Sequence, residues 1–139
     1  MTIEPYLFFD GRADEAIEFY KSALGAKVVA VIRYKENPEP QHNPPGSDDK
    51  VMHSLLRFGD AGVMISDGKC GGRPAFQGFA LTLQASDEAD ATRKFSALGQ
   101  GGQVQMPLGE SFFARSFGMV ADKFGVSWMV IAGTKEPGK

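Results

Sequence analysis

Apolar and polar residues alternate in short runs along this chain, and twice the alternation gives way to a rhythm of three and four. Ile3 to Phe9 is β-branched and aromatic with little polarity, the composition of a strand, and Asp10-Gly11 ends it. Ala13, Ala16, Ile17, Tyr20 and Leu24 then recur at helical spacing, which predicts an amphipathic helix over about Arg12–Leu24 with its stop at Gly25. Lys27–Lys35, Val51–Phe58 and Gly62–Ser66 read as three further strands, the last two turning at Gly59-Asp60. Asn37–Asp49 holds four prolines and no apolar aliphatic residue, so it reads as a long exposed loop, equally compatible with a lid or a plain connector. Asp67–Pro74 is a glycine-rich linker.

The second half repeats the order. Phe79–Gln84 alternates at the period of a half-buried strand. Ser86 is the expected N-cap of a helix over Asp87–Leu98, with acids in its first turn and Ala91, Phe95 and Leu98 on its apolar face. Gln103–Met106, Phe112–Val120 and Val126–Ile131 complete the strands, the last two joined through Asp122–Gly125. The repetition extends to identities. Asp14-Glu15-Ala16 returns 73 residues later as Asp87-Glu88-Ala89, and Ser22-Ala23-Leu24-Gly25 returns 74 later as Ser96-Ala97-Leu98-Gly99. A period this long in 139 residues allows two copies and no third, which excludes a solenoid. The expectation is β-α-β-β-β twice, at residues 1–68 and 75–133, in one pseudo-symmetric domain with a flexible tail at 134–139. A binding site is expected in a cleft between the copies.

Composition narrows the function classes. Hydrophobic residues at 42% and charged residues at 23% are ordinary for a soluble globular chain. A net charge of −2 with no basic stripe argues against a nucleic-acid partner. No N-terminal stretch joins basic residues to a long apolar run, so neither a secretory signal nor a membrane span is expected, and a cytoplasmic location fits. Cys70, the single cysteine, has no partner for a disulfide and reads as an incidental loop thiol.

Several stretches carry a resemblance that runs almost the full length. They are Pro5-Tyr6-Leu7-Phe8-Phe9-Asp10-Gly11, Glu15-Ala16-Ile17-Glu18-Phe19-Tyr20, Leu24-Gly25-Ala26, His53, Met64-Ile65-Ser66-Asp67, Glu110-Ser111-Phe112-Phe113-Ala114 and, most specific, Asp122-Lys123-Phe124-Gly125-Val126-Ser127-Trp128-Met129. On these residues the chain resembles the PhnB-like branch of the vicinal oxygen chelate superfamily, which includes glyoxalase I and bleomycin-resistance proteins. The resemblance implies an α+β fold in which two β-α-β-β-β modules form a curved, mostly antiparallel sheet around a cleft. Some proteins of this branch are labelled demethylubiquinone methyltransferases. The turns at Asp10-Gly11 and Ala85-Ser86 lack the glycine cluster that a nucleotide-type methyl donor would favour.

Metal-dependent relatives place His, Gln or Glu ligands early in the first strand and late in the last strand of each module. Counting from the landmarks puts Pro5, Gly78 (with Gln77 beside it), Met129 and a residue near Ser66 at those positions. Pro, Gly and Met offer a hard divalent ion nothing useful, and Ser is a poor ligand. No bound transition metal and no cofactor are therefore expected. The same count makes Pro5 face the cavity and sends Tyr6 and Phe8 under the helix.

The candidate ligand-binding residues are His53, Ser66, Asp67, Glu110, Phe113, Arg115 and Trp128. His53 shares the parity of Leu55 and Arg57, and its imidazole is suited to acid–base work or to ligand hydrogen bonding; a strand histidine satisfied by its neighbours is the plainer reading. His42, in the proline-rich loop, reads as solvated. Ser66 and Asp67 end a strand, and Asp67 could equally cap the turn that follows. Glu110 and Arg115 flank Phe112-Phe113, where the arginine could meet an anionic group or form a surface ion pair. Phe113, Phe124 and Trp128 could wall a pocket or fill the core. Three readings follow: a protein that binds a small molecule, with or without a reaction; a metal-dependent lyase, isomerase or dioxygenase; and a non-catalytic dimer of structural or regulatory role. A homodimer is expected, because open sheets leave edges and apolar faces to cover.

Overall fold

A computed structural model describes residues 1–69 and 73–135. Two compact units divide the chain, 1–74 and 75–139, and each contains one helix and one four-stranded sheet. The linker residue Cys70 and the last four residues lie outside the described part. Among the described residues no helix is long and apolar enough to cross a membrane.

In the first unit the elements are β1 (Tyr6–Phe8), α1 (Ala13–Leu24), β2 (Lys27–Arg33), β3 (Val51–Phe58) and β4 (Ala61–Ser66). The sheet order is β1-β4-β3-β2, with β1 parallel to β4 and the other pairs antiparallel. Ala13, Ala16, Ile17 and Tyr20 are the buried stripe of α1, which packs on β2, β3 and β4. Gly25 ends the helix in the left-handed region (φ 69°), and its N–H donates to the Lys21 carbonyl. The helix covers one face of the sheet, where Leu7, Phe9, Leu56 and Ile65 are buried. β1 is shorter than the apolar run that predicts it, since only three of its residues find a partner strand. The segment from Tyr34 to Asp49 is held by local hydrogen bonds rather than by a sheet. It contains 3-10 turns at Tyr34–Glu36 and Pro40–His42, an Asn37–Asn43 side-chain pair at 2.8 Å, and an Asn43 amide that donates to the Tyr34 carbonyl.

The second unit has β5 (Leu81–Gln84), α2 (Glu88–Leu98), β6 (Gln103–Gly109), β7 (Ala114–Ala121) and β8 (Ser127–Thr134), in the equivalent order β5-β8-β7-β6 with β5 parallel to β8. β6 runs past Met106 through Pro107, which an edge strand tolerates because one side of its backbone has no partner. β8 extends through Thr134, and the Lys135 N–H donates to the Phe113 carbonyl at 2.6 Å, so the chain is held two residues into the expected tail. Gly118 is a close-approach glycine: a Cβ there would lie 2.7 Å from the Phe95 ring and 2.9 Å from the Leu108 backbone.

The two helix starts are solved differently. The N-cap of α2 is Asp87, not Ser86; its carboxylate accepts from the Asp90 N–H at 2.7 Å, and Asp90 in turn accepts from the Ser86 N–H at 3.0 Å. Arg12 stands at the N-cap of α1 without a side-chain bond of that kind. Its orphan donors are met from far away, by Asp67.

Candidate functional site

Asp67 follows β4 directly and is buried to 1% exposure. One carboxylate oxygen accepts from the Gly11 and Ala13 N–H groups, both at 2.8 Å, and the other accepts from the Val51 N–H at 2.9 Å. The turn between β1 and α1 needs this support, because Asp10 (φ 56°) and Gly11 (φ 113°) both sit in the left-handed half of conformational space. Asp67 is thus the remote cap of α1 and a tie to the start of β3, and its oxygens face inward to backbone rather than outward to a ligand. Ser66 is likewise engaged: its hydroxyl donates to the Met52 carbonyl at 2.7 Å and accepts from the Gly68 N–H at 2.9 Å.

His53 is placed differently. The register pairs Leu55 with Met64 and Arg57 with Gly62, and it pairs Met64 with Tyr6. Residues paired across strands share a face, so His53, Leu55, Met64, Ile32, Tyr6 and Phe8 all lie on the face that α1 does not cover. Tyr6 and Phe8 therefore do not pack under the helix. They are 37% and 54% exposed, while Leu7 and Phe9 take the buried parity. The register also removes Pro5 from that open face, since it shares the parity of Leu7. Glu4, which shares the parity of Tyr6, closes over Gly62: a Cβ at Gly62 would stand 2.0 Å from its carboxylate.

On this open face Tyr6 stacks on Phe8 with ring centroids 4.9 Å apart, and its hydroxyl lies 2.8 Å from His53 Nδ1. In the neutral Nε2–H tautomer the tyrosine O–H donates to Nδ1, which fixes the ring and leaves Nε2–H as a donor. Nε2 has no hydrogen-bond partner among the described residues. The result is an oriented His53–Tyr6 polar pair on a partly exposed face that also carries Phe8, Ile32, Leu55 and Met64, with the charged residues Glu4 and Arg57 on the same parity. Tyr6 and Phe8 were missed by the sequence reasoning. The available signal was Glu4, a charged residue two positions before Tyr6, which marks that parity as the open one.

In the second unit the candidates separate. Trp128 is 4% exposed on the helix-covered face of the sheet, and its Nε1–H donates to Asp122 at 2.9 Å. Asp122 also accepts from the Phe124 and Val126 N–H groups, so Asp122–Trp128 organises the β7–β8 hairpin. Phe124, 5% exposed, is part of the same packing. Phe113 packs edge-on against Phe117, with centroids 4.9 Å apart. Glu110 pairs with Lys135 Nζ at 2.9 Å; that hydrogen bond and charge, with a smaller contribution from Arg115, hold its carboxyl below the usual range. Arg115 is exposed and lines a cavity of about 540 Å³ with Ser86, Asp87, Glu88, Ala89, Gly133 and Thr134. The start of α2 facing that cavity already carries its own acids. Asp90, buried there, is lowered to about 2 by the Ser86 N–H and the Lys94 ammonium.

The positions implied for a divalent metal do not fit one. Pro5 and Gly78 have no donor side chain, the Ser66 hydroxyl is spent on backbone, and Met129 is a soft thioether. Among the described residues no three His, Cys, Asp or Glu side chains gather into a group that could hold a metal ion.

Comparison with known proteins shows the family and matches the fold. A family model described as 3-demethylubiquinone-9 3-methyltransferase matches residues 1–131. Protein YjdN of Escherichia coli (strain K12) is 32% identical over 145 residues, covering 99% of this chain and 99% of that one. The crystal structure of protein PA1353 from Pseudomonas aeruginosa is similar at TM-score 0.85 and 38% identity, covering 97% of this chain and 99% of that one. The PhnB protein from Bacillus cereus follows at TM-score 0.79 and 29% identity, covering 96% and 100%. A glyoxylase/bleomycin resistance protein/dioxygenase domain from Frankia sp. EAN1pec shares the fold alone, at TM-score 0.66 and 15% identity, covering 100% and 95%.

Proposed function

Because this chain belongs to the family described as 3-demethylubiquinone-9 3-methyltransferase, PhnB-like proteins with the glyoxalase-like fold, we propose that it binds a small planar molecule on the open face of its first sheet, without a divalent metal ion. Family membership carries the fold and leaves the reaction open, since one fold serves many chemistries. Methyl transfer finds no support in the first strand-to-helix turn. The Gly11 and Ala13 N–H groups there, which a cofactor's anionic group would use, are occupied by Asp67.

The single observation that carries the reading is the Tyr6–His53 hydrogen bond at 2.8 Å, which in the Nε2–H tautomer leaves a donor on the face that also carries Phe8, Ile32, Leu55 and Met64. A flat ring lying on Phe8 would gain stacking and apolar burial, and an oxygen on that ring would accept from Nε2–H. Compounds with one or two ring oxygens, such as phenols and quinones, have this chemistry, and the family's description also names a quinone. Tyr6 would be a positioning residue, since it acts on the ligand through the imidazole it orients.

The test is titration with 1-naphthol, followed by the imidazole and tyrosine ring signals in NMR, with naphthalene as the control lacking oxygen. Shifts at His53 and Tyr6 that saturate with naphthol, and weaken about tenfold in His53→Ala and Tyr6→Phe, support the reading; a tenfold loss corresponds to about 1.4 kcal/mol, the order of one hydrogen bond. Saturating shifts confined to other residues, or equal affinity for naphthalene, overturn it.

A further inference from the structure

The open face of the second sheet carries a feature that the first lacks. Register pairs Met129 on β8 with Met119 on β7, and Met119 with Met106 on β6, where register shifts on both sides of Met106 move it out of the parity of Val104, the partner of Val120. Three methionines therefore stand side by side across three adjacent strands, on the face opposite to buried Trp128, Val130 and Val120. Thr82 on β5 completes the row, with its hydroxyl 3.9 Å from the Met129 sulfur. Met119 and Met129 are half-buried and Met106 is 44% exposed, so the row is reachable from solvent.

We propose that Met106, Met119 and Met129 form a binding site for a soft monovalent cation, copper(I), held by three thioether sulfurs. Neighbouring strands place successive Cα atoms roughly 4.8 Å apart, so the outer two stand about 10 Å from each other. Each side chain is unbranched with three rotatable bonds; the Met129 sulfur, now 3.9 Å from the Thr82 hydroxyl on the β5 side, must change rotamer to converge with the other two over the middle strand. Thioethers select copper(I) among biological metals and offer nothing to magnesium, calcium or manganese. The surroundings support the same choice. Phe117 and Ile131, paired in the next row, are apolar, and Ala121 and Ser127 on the other side bring no charge. The nearest charged side chain of the same parity on β7 is Arg115, four residues from Met119 and roughly 13 Å along the strand, beyond a Debye length at physiological salt. A thioether set that suits no hard divalent ion suits a soft monovalent one. The site lies wholly in the second unit and is independent of the Tyr6–His53 face.

The experiment is anaerobic titration of the full chain with copper(I), supplied as its acetonitrile complex, in competition with bathocuproine disulfonate. The protein is the Cys70→Ser variant, which removes the one thiol. One equivalent bound is expected, with affinity unchanged between pH 7 and pH 5, because thioethers carry no proton to release, whereas thiolate and imidazole ligands do. Met119→Leu and Met106→Leu keep apolar volume, and each should weaken binding tenfold or more; Met106 is exposed enough that its replacement leaves the fold intact. X-ray absorption should show a sulfur-only shell. Failure of Cys70→Ser to compete with the chelator, or equal affinity in the two leucine variants, overturns the site. So does binding that weakens steeply toward pH 5.

Discussion

Removing the Asp67 carboxylate should destabilise the first unit more than any other single exposed-to-buried polar change in it. The carboxylate accepts three backbone N–H groups from two elements, Gly11 and Ala13 at the start of α1 and Val51 at the start of β3. Asp67→Ala leaves three donors without a protein partner in a position that is 1% exposed. Each orphaned buried donor costs about 1–3 kcal/mol, and some water entry into the vacated volume will relieve part of that, so about 4 kcal/mol is expected in total. Asp67→Asn keeps the shape but must set its NH2 group against at least one N–H, and should cost roughly 2–3 kcal/mol. The control is Asp87→Ala at the start of α2, where a local cap with one bond of this kind should cost only about 1 kcal/mol. In urea, with a slope of about 2 kcal/mol per molar, Asp67→Ala should move the unfolding midpoint down by roughly 2 M and Asp87→Ala by about 0.5 M. Equal shifts for the two alanine variants, or an Asp67→Ala midpoint within about 0.3 M of the wild type, would refute the remote-cap account.

Asp90 is held to about 2, against 3.8 for a free carboxyl, so its contribution is fully present above pH 4 and is lost as pH falls through 2. Wild type should exceed Asp90→Asn by about 2 kcal/mol at neutral pH, with the gap closing between pH 4 and pH 2; a gap constant over that range refutes the assignment. Trp128 is the sole tryptophan, and at 4% exposure its emission should be blue-shifted and resist acrylamide quenching. Emission like that of free tryptophan would contradict the core placement. Edge strands β2 and β6 expose Val28, Val29 and Val104, which motivates the proposal of a homodimer. Light scattering behind size exclusion should give about twice 15.0 kDa, and a mass of 15.0 kDa at micromolar concentration refutes it.

Order and type of element were legible because they depend on local periods. The helical rhythm from Ala13 to Leu24 and the left-handed stop at Gly25 are written within a few turns of chain, the repeat at 73 and 74 residues is written in matching identities, and each element appears where its period does. The ends of strands were less legible. Met106 and Ile131 look like stops, yet β6 and β8 continue because a neighbouring strand is there to bond them.

The candidate site was legible only in part, for the same reason. The parity of His53 with Leu55 and Arg57 is a local fact and holds in the sheet. Which parity faces the helix is marked locally only by Glu4: Tyr6 and Phe8 themselves differ little from Leu7 and Phe9 until α1 is laid across one side. Asp67 finds its partners 56, 54 and 16 residues away, so no window of sequence around Asp-Gly could separate a remote cap from a turn or a ligand group. Met106, Met119 and Met129 lie 13 and 10 residues apart on consecutive strands and are set in one row only by strand register. Sequence by itself determined the elements, which rest on spacings of two to four residues, and their duplication, which rests on identities repeated 73 and 74 residues apart. Tertiary structure alone decided faces, partners and neighbours, because a pleated strand offers two equivalent sides and only packing chooses between them.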